Sequence, residues 1–184
     1  MKKTDVRWVV RVVLVSVVLA AVFTLASTVA LEGAGYVVAA LVLFVLILIG
    51  ILFDIIGVAV TAAQETPFHS MAARQTAGAK EAIWLVKNAS RVSSFCSDVV
   101  GDITGIISGT TMAVLAVRLA ADFRLAHIGV NLAISGVVVG LTIGGKAWGK
   151  VMAIHGSTNI VFRTARVLYR KNWLVAKITG KGRP

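Results

Sequence analysis

The sequence predicts an all-α membrane protein with four transmembrane helices, amphipathic interfacial helices and a basic cytoplasmic C-terminal helix. Three observations predict it. Of the 184 residues, 58% are hydrophobic and only 15% charged, against about 25% charged in soluble domains. A soluble fold this short has too little interior to hide so much apolar surface. The apolar residues are gathered into long runs, of which the uncharged stretch 36–53 approaches the ~20 residues that cross a bilayer. Lys and Arg, finally, collect before, between and after those runs in the pattern of a topology signal.

The first span is expected over residues 12–31. It follows Lys2, Lys3, Arg7 and Arg11 in a basic N-terminus of residues 1–11 and ends at Glu32-Gly33-Ala34-Gly35. It is longer than the apolar core of a signal peptide, and Thr28-Val29-Ala30 imitates a cleavage site only weakly, so a retained helix is expected. The second run, 36–61, is apolar except for Asp54. Residues 65–91 are too polar to cross. There Thr66-Pro67 reads as a helix start with Thr as N-cap, and Phe68, Met71, Ala72, Ala79, Ile83 and Val86 recur at helical spacing, which predicts two helices lying on the membrane. The third span, 93–117, carries Asp98 and Asp102, and the fourth, 128–154, carries Asn131, Ser135, Lys146 and Lys150. In the tail, 155–184, Val161, Phe162, Ala165, Leu168 and Tyr169 share one face and Arg163, Arg166, Arg170 and Lys171 another, a pattern that suits an anionic leaflet or, as the plainer reading, a simple topology anchor.

The net charge of +11 invites a nucleic-acid reading, but its distribution argues otherwise. Four Lys and Arg precede the first span, Arg74, Lys80, Lys87 and Arg91 separate the second from the third, and seven follow residue 154, so 15 of 19 fall on one side. The positive-inside rule then puts both termini in the cytoplasm of a multi-pass cell-membrane protein, with an anionic leaflet rather than nucleic acid as partner. Asp122 falls in the outer loop.

Small and polar residues are patterned within the spans. Ser93, Ser97, Gly101, Gly105 and Gly109 repeat every four residues, as do Gly136, Gly140 and Gly144; such stripes predict close helix packing. Beside the first runs Ser94, Asp98 and Asp102, and on the second span Gly50, Asp54, Gly57 and Thr61 share a face. All three aspartates are therefore expected to point into the bundle. A carboxylate at the bilayer centre costs at least ~2.5 kcal/mol, so such residues mark an ion pathway or a buried pair. One intramembrane lysine cannot neutralise three acids, and the all-oxygen set suits a hard cation such as Mg²⁺, Ca²⁺ or Na⁺. The competing reading is a structural network neutralised by Lys146, Lys150 or Arg118. No enzyme is expected, since the chain has no metalloprotease H-E-x-x-H and no phosphate loop. His69, His127 and His155 lie apart, and Cys96 suits packing.

Several of these stretches, read in order, resemble the transmembrane domain of the cyclin-M/CorC family of magnesium and cobalt transporters. They are Phe53-Asp54-Ile55-Ile56-Gly57-Val58-Ala59-Val60-Thr61-Ala62, then Ala79-Lys80-Glu81-Ala82-Ile83-Trp84-Leu85-Val86-Lys87-Asn88, then Val92-Ser93-Ser94 and Gly105-Ile106-Ile107-Ser108-Gly109. The resemblance covers about residues 45–165, within a membrane domain at 36–154, and is to a stand-alone form without the family's CBS pair. It implies binding or transport of Mg²⁺ or a related cation, a homodimer, and a ligand set with Asp54 on the family's first-span position and Asp98 near its second-span Asn. Ser94, Asp102 and Gly144 complete the candidate metal residues. Gly144 matches the family's Gly-Glu motif, but Gly145 stands where the Glu would be and Trp148 where the Pro would be. The alternative implied by that departure is a non-transporting scaffold or partner subunit with a degenerate site.

The topology is open to direct test. A reporter fused after Pro184 is expected to be active only on the cytoplasmic side, and a mature chain beginning at Leu31 by N-terminal sequencing would show instead that the first helix is removed.

Overall fold

The computed structural model describes residues 3–33, 35–123 and 127–178. Among these, every regular element is helical. In chain order they are α1 (Lys3–Leu31), α2 (Tyr36–Ala62), α3 (Thr66–Ala73), α4 (Ala79–Lys87), α5 (Ala89–Ser94), a segment of wide π turns (Phe95–Gly101), α6 (Asp102–Asp122), α7 (His127–His155) and α8 (Ser157–Ile178). Four stretches are long and apolar enough to cross a membrane: Val6–Leu31, Tyr36–Ala62, Ala89–Asp122 and Ile128–His155. They coincide with the four expected runs. Val17, Val18 and Leu25 on α1 and Leu132, Leu141 and Ile143 on α7 all face outward, an exterior that only hydrocarbon surroundings or further protein make affordable.

The short helices begin and end for local reasons. Pro67 lies in the first turn of α3, where its missing N–H costs nothing. The N-cap is Glu65, however, which makes no side-chain capping bond, and Thr66 is already inside the helix. Gly78 precedes α4 at a φ of 91°, a left-handed conformation that favours glycine. A Cβ there would lie 3.3 Å from the backbone of Arg166, so the glycine also lets α4 approach α8.

By compactness the chain divides into two units. The first comprises Met1–Asp54 and Phe95–Trp148. Within it α1 packs along the π segment and α6, and Leu46, Val99, Ile103 and Ile107 form a core flanked by Val12, Leu19, Phe23 and Val42. The second comprises Ile55–Ser94 and Gly149–Pro184. Its core joins Ala59, Val60, Phe68, Ala82, Leu85, Ala153, Val161 and Ala165, with Met71, Ile83, Val86, Phe162 and Leu168 packed around it. This core reassigns two expected lipid-facing surfaces. The apolar faces of α3, α4 and α8 are spent on one another, because each is too short or too polar to remain folded without a partner.

The glycine stripes also pack differently from expectation. A Cβ on Gly105, Gly109, Gly136, Gly140 or Gly144 would meet nothing within 4 Å. On α6 the buried positions are instead Ile103, Thr104, Ile107, Ser108, Thr111, Leu115, Ala116 and Ala120, which recur at steps of three and four. The reason is geometric: an α-helix has 3.6 residues per turn, so a strict four-residue stripe drifts by ~40° at each step, and the π segment displaces the register again. Close approaches fall instead at Gly145, where a Cβ would stand 2.6 Å from the flexible end of Ile51, and at Gly50, where it would stand 2.7 Å from Thr104 Oγ1. Thr104 is 2% exposed and its hydroxyl donates to Val100 O at 2.8 Å, which leaves it little freedom to yield. Gly50→Ala is expected to cost about 1–3 kcal/mol by overpacking. Gly105→Ala should be neutral or stabilise by up to about 1 kcal/mol, and thermal unfolding of both variants in detergent checks the contrast.

Candidate functional site

Asp54 is the acid that the fold draws inward. It sits on α2 at 6% exposure, and its Oδ1 accepts a 2.9 Å hydrogen bond from Ser97 Oγ in the π segment. Gly50 and Gly57, on the same face, are buried as the pattern of α2 predicts, whereas Thr61 is exposed and donates to Val58 O at 2.8 Å. Four residues from Asp54, Gly50 carries no side chain, and that absence lets Thr104 approach the helix. The wide turns place Ser97, read from sequence as a packing residue, against the carboxylate.

The other sequence-derived candidates do not converge on Asp54. Asp98 and Asp102 are exposed, correcting the expectation that three carboxylates share the bundle interior. Consecutive helical residues project about 100° apart, so when Ser97 faces α2 its neighbour Asp98 points away, and Asp102, four residues on, lies on the same outward side as Asp98. Ser94 is half-buried in the second unit, and Gly144 is exposed with open space beside it. Among the described residues, no group of three or more His, Cys, Asp or Glu side chains is placed to hold a metal. A half-buried lysine, Lys146, brings its ammonium to 4.0 Å from a Cβ built on Gly101, so a positive charge approaches the same wide turns that carry Ser97.

Buried hydroxyls elsewhere in the first unit have partners as well, Thr104 and Ser108 on carbonyls three or four residues back and Ser27 and Thr111 on each other. Ser108 donates to Gly105 O at 2.9 Å, Thr104 also reaches Gly101 O at 3.1 Å, and Ser27 meets Thr111 at 3.3 Å between α1 and α6. Back-bonding of the Thr104 and Ser108 kind lets a hydroxyl sit between helices without an unmade hydrogen bond.

A second polar grouping was not foreseen. The Tyr36 hydroxyl donates to Asp122 Oδ2 and lies 3.5 Å from Arg118 O. These residues border a cavity of about 180 Å³ with Leu31, Thr111 and Leu115, and the Tyr36 and Phe123 rings stand 6.5 Å apart. Asp122 is thus tied to the start of α2 rather than free in an outer loop. The sequence carried only a weak signal, an aromatic opening one span and an acid closing another. Of the histidines, His69 lies 3.3 Å from Glu65 one turn away, His155 lies 2.9 Å from Val151 O, and the side chain of His127 is outside the described residues.

Comparisons with protein-family models, characterised proteins and solved structures find no match to this chain.

The Asp54–Ser97 contact makes a quantitative prediction. Ser97→Ala is expected to destabilise by about 1–3 kcal/mol, the cost of removing the donor from a buried acceptor. A double-mutant cycle with Asp54→Asn, followed by thermal unfolding, should return a coupling energy that a Ser93→Ala cycle lacks.

Proposed function

We propose that this chain is an integral membrane protein that binds and moves a small hard cation, with Asp54 as the charged ligand and Ser97 as a neutral oxygen beside it. The observation that carries the reading is the burial of Asp54 within a span, because a carboxylate in that position is costly and is kept where its charge has a use. The resemblance to the cyclin-M/CorC membrane domain supports the same assignment and names Mg²⁺ or a related ion as cargo. With Asp98 and Asp102 on outward faces, one chain supplies a single acid at Asp54. Mg²⁺ keeps several of its waters and takes as few as one or two carboxylates, so one acid with hydroxyls remains a workable set. A homodimer is the proposed assembly, in the cell membrane with both termini cytoplasmic and the basic segments against an anionic leaflet. No enzymatic chemistry and no nucleic-acid partner is proposed.

A second reading has its own observation. The approach of Lys146 to the wide turns beside Ser97, together with the separation of the three aspartates, favours a structural polar network in a scaffold or partner subunit. The missing Glu at Gly145 points the same way.

Ligand linkage separates the two. A cation bound by the folded protein alone stabilises it by about 2.7 kcal/mol at a hundredfold excess over Kd. Melting temperature in detergent is expected to rise with at least one of Mg²⁺, Ca²⁺, Na⁺, Mn²⁺ and Co²⁺, to rise less in Asp54→Asn, and to be matched by flux of that ion into proteoliposomes. Equal shifts in wild type and Asp54→Asn, or none, would replace the transporter with the scaffold.

A further inference from the structure

Charge is divided very unequally between the two units. The second unit holds 12 of the 19 Lys and Arg and only two acids, Glu65 and Glu81, so it carries +10 of the net +11. Within it, helix α4 has two distinct faces. Ala79, Ala82 and Leu85 are buried, and Ile83 and Val86 pack beside them. Lys80, Trp84 and Lys87 are exposed, and at 100° per residue they fall within an arc of about 60°. The tryptophan is 57% exposed between two lysines, with Arg91 also exposed one turn further along the chain.

From this we infer that the Lys80–Trp84–Lys87 face of α4 is a docking surface for anionic lipid headgroups, with Trp84 seated at headgroup level and the two lysines on the phosphates. The apolar face on which the sequence pattern placed lipid contact is consumed by the protein core, so the outward face is the one left to meet the membrane. Chain connectivity sets its depth: only Asn88 separates α4 from the membrane-crossing stretch that begins at Ala89. The last turn of α4 therefore stands at the boundary between water and hydrocarbon. Tryptophan is enriched at that boundary because its ring is apolar and its N–H polar, and lysine stems cover apolar surface while the ammonium stays wet. Attraction to an anionic leaflet follows from the local excess of positive charge and weakens with salt.

This surface rests on the membrane placement proposed above and is independent of which ion, if any, Asp54 binds. Its test uses the full chain with Trp84 as the only tryptophan, made by Trp8→Phe, Trp148→Phe and Trp173→Phe, in vesicles whose lipids are brominated near the headgroup end of their acyl chains. Brominated phosphatidylglycerol diluted into phosphatidylcholine is expected to quench Trp84 at least about twofold more than the same fraction of brominated phosphatidylcholine. Lys80→Gln with Lys87→Gln, both at exposed positions, should bring that ratio close to one at unchanged melting temperature, as should high salt. Equal quenching by both lipids in the parent protein would overturn the headgroup assignment while leaving the interfacial placement standing. Absence of quenching by either would overturn the placement itself. Headgroup-indifferent quenching combined with a shift of Trp84 emission on adding duplex DNA would transfer the face to nucleic acid and likewise overturn the proposal.

Discussion

Hydrocarbon offers no hydrogen-bond partner, so a segment that crosses it has to satisfy every backbone N–H and C=O within itself or against protein. The rest of the structure depends on this constraint. It makes helix the conformation of all four apolar stretches, and it sorts side chains by what they can do without water. Val17, Leu25 and Leu141 face outward at no cost, while Thr104, Ser108 and Thr111 are turned inward, and Thr104 and Ser108 bond to carbonyls three or four residues back along the chain. In a water-soluble protein of this size the arrangement would be inverted.

The same constraint gives the π segment its importance. An interruption of the regular ladder within the stretch Ala89–Asp122 is tolerated where protein packs around it, and here α1 lies against it. The wide turns bring Ser97 to Asp54 and leave Asp98 outside. Among the described residues, a single buried acid with a hydroxyl donor therefore stands in place of the three-acid cluster expected from the sequence pattern. π turns recur at functional sites in other proteins because they re-aim side chains, and in this chain the re-aimed residue is the partner of the buried carboxylate.

In the second unit the packing of short helices on one another governs. Helices of eight or nine residues are marginal in isolation, and α3 and α4 gain stability by burying Phe68, Ala82 and Leu85 against Val161 and Ala165 of α8. Gly78 permits that contact by removing a Cβ that would crowd the Arg166 backbone. Arg166 itself stands 4.5 Å from the Phe162 ring centroid, so even the basic side chains of α8 take part in the packing of their own helix.

How much of this was legible without coordinates follows from which forces act locally. Hydrophobic run length and the placement of Lys and Arg depend only on neighbours in sequence, so the four spans and the start of α3 near Pro67 were readable, as was the burial of Gly50, Asp54 and Gly57 on one face of α2. The partner of Asp54 was not, because a π turn leaves no compositional mark and shifts register by an amount that only the packed neighbours select. Nor was the Tyr36–Asp122 bond, which joins residues 86 positions apart. The amphipathic patterns of α4 and α8 showed that each helix would bury a face, but an apolar face is equally content against lipid or protein. Sequence by itself determined which stretches of the chain leave water. Only the tertiary structure decided what they leave it for, since the hydrophobic effect is non-directional, whereas the partner is chosen by shape, by the glycines that permit approach and by the hydrogen bonds that have to be completed.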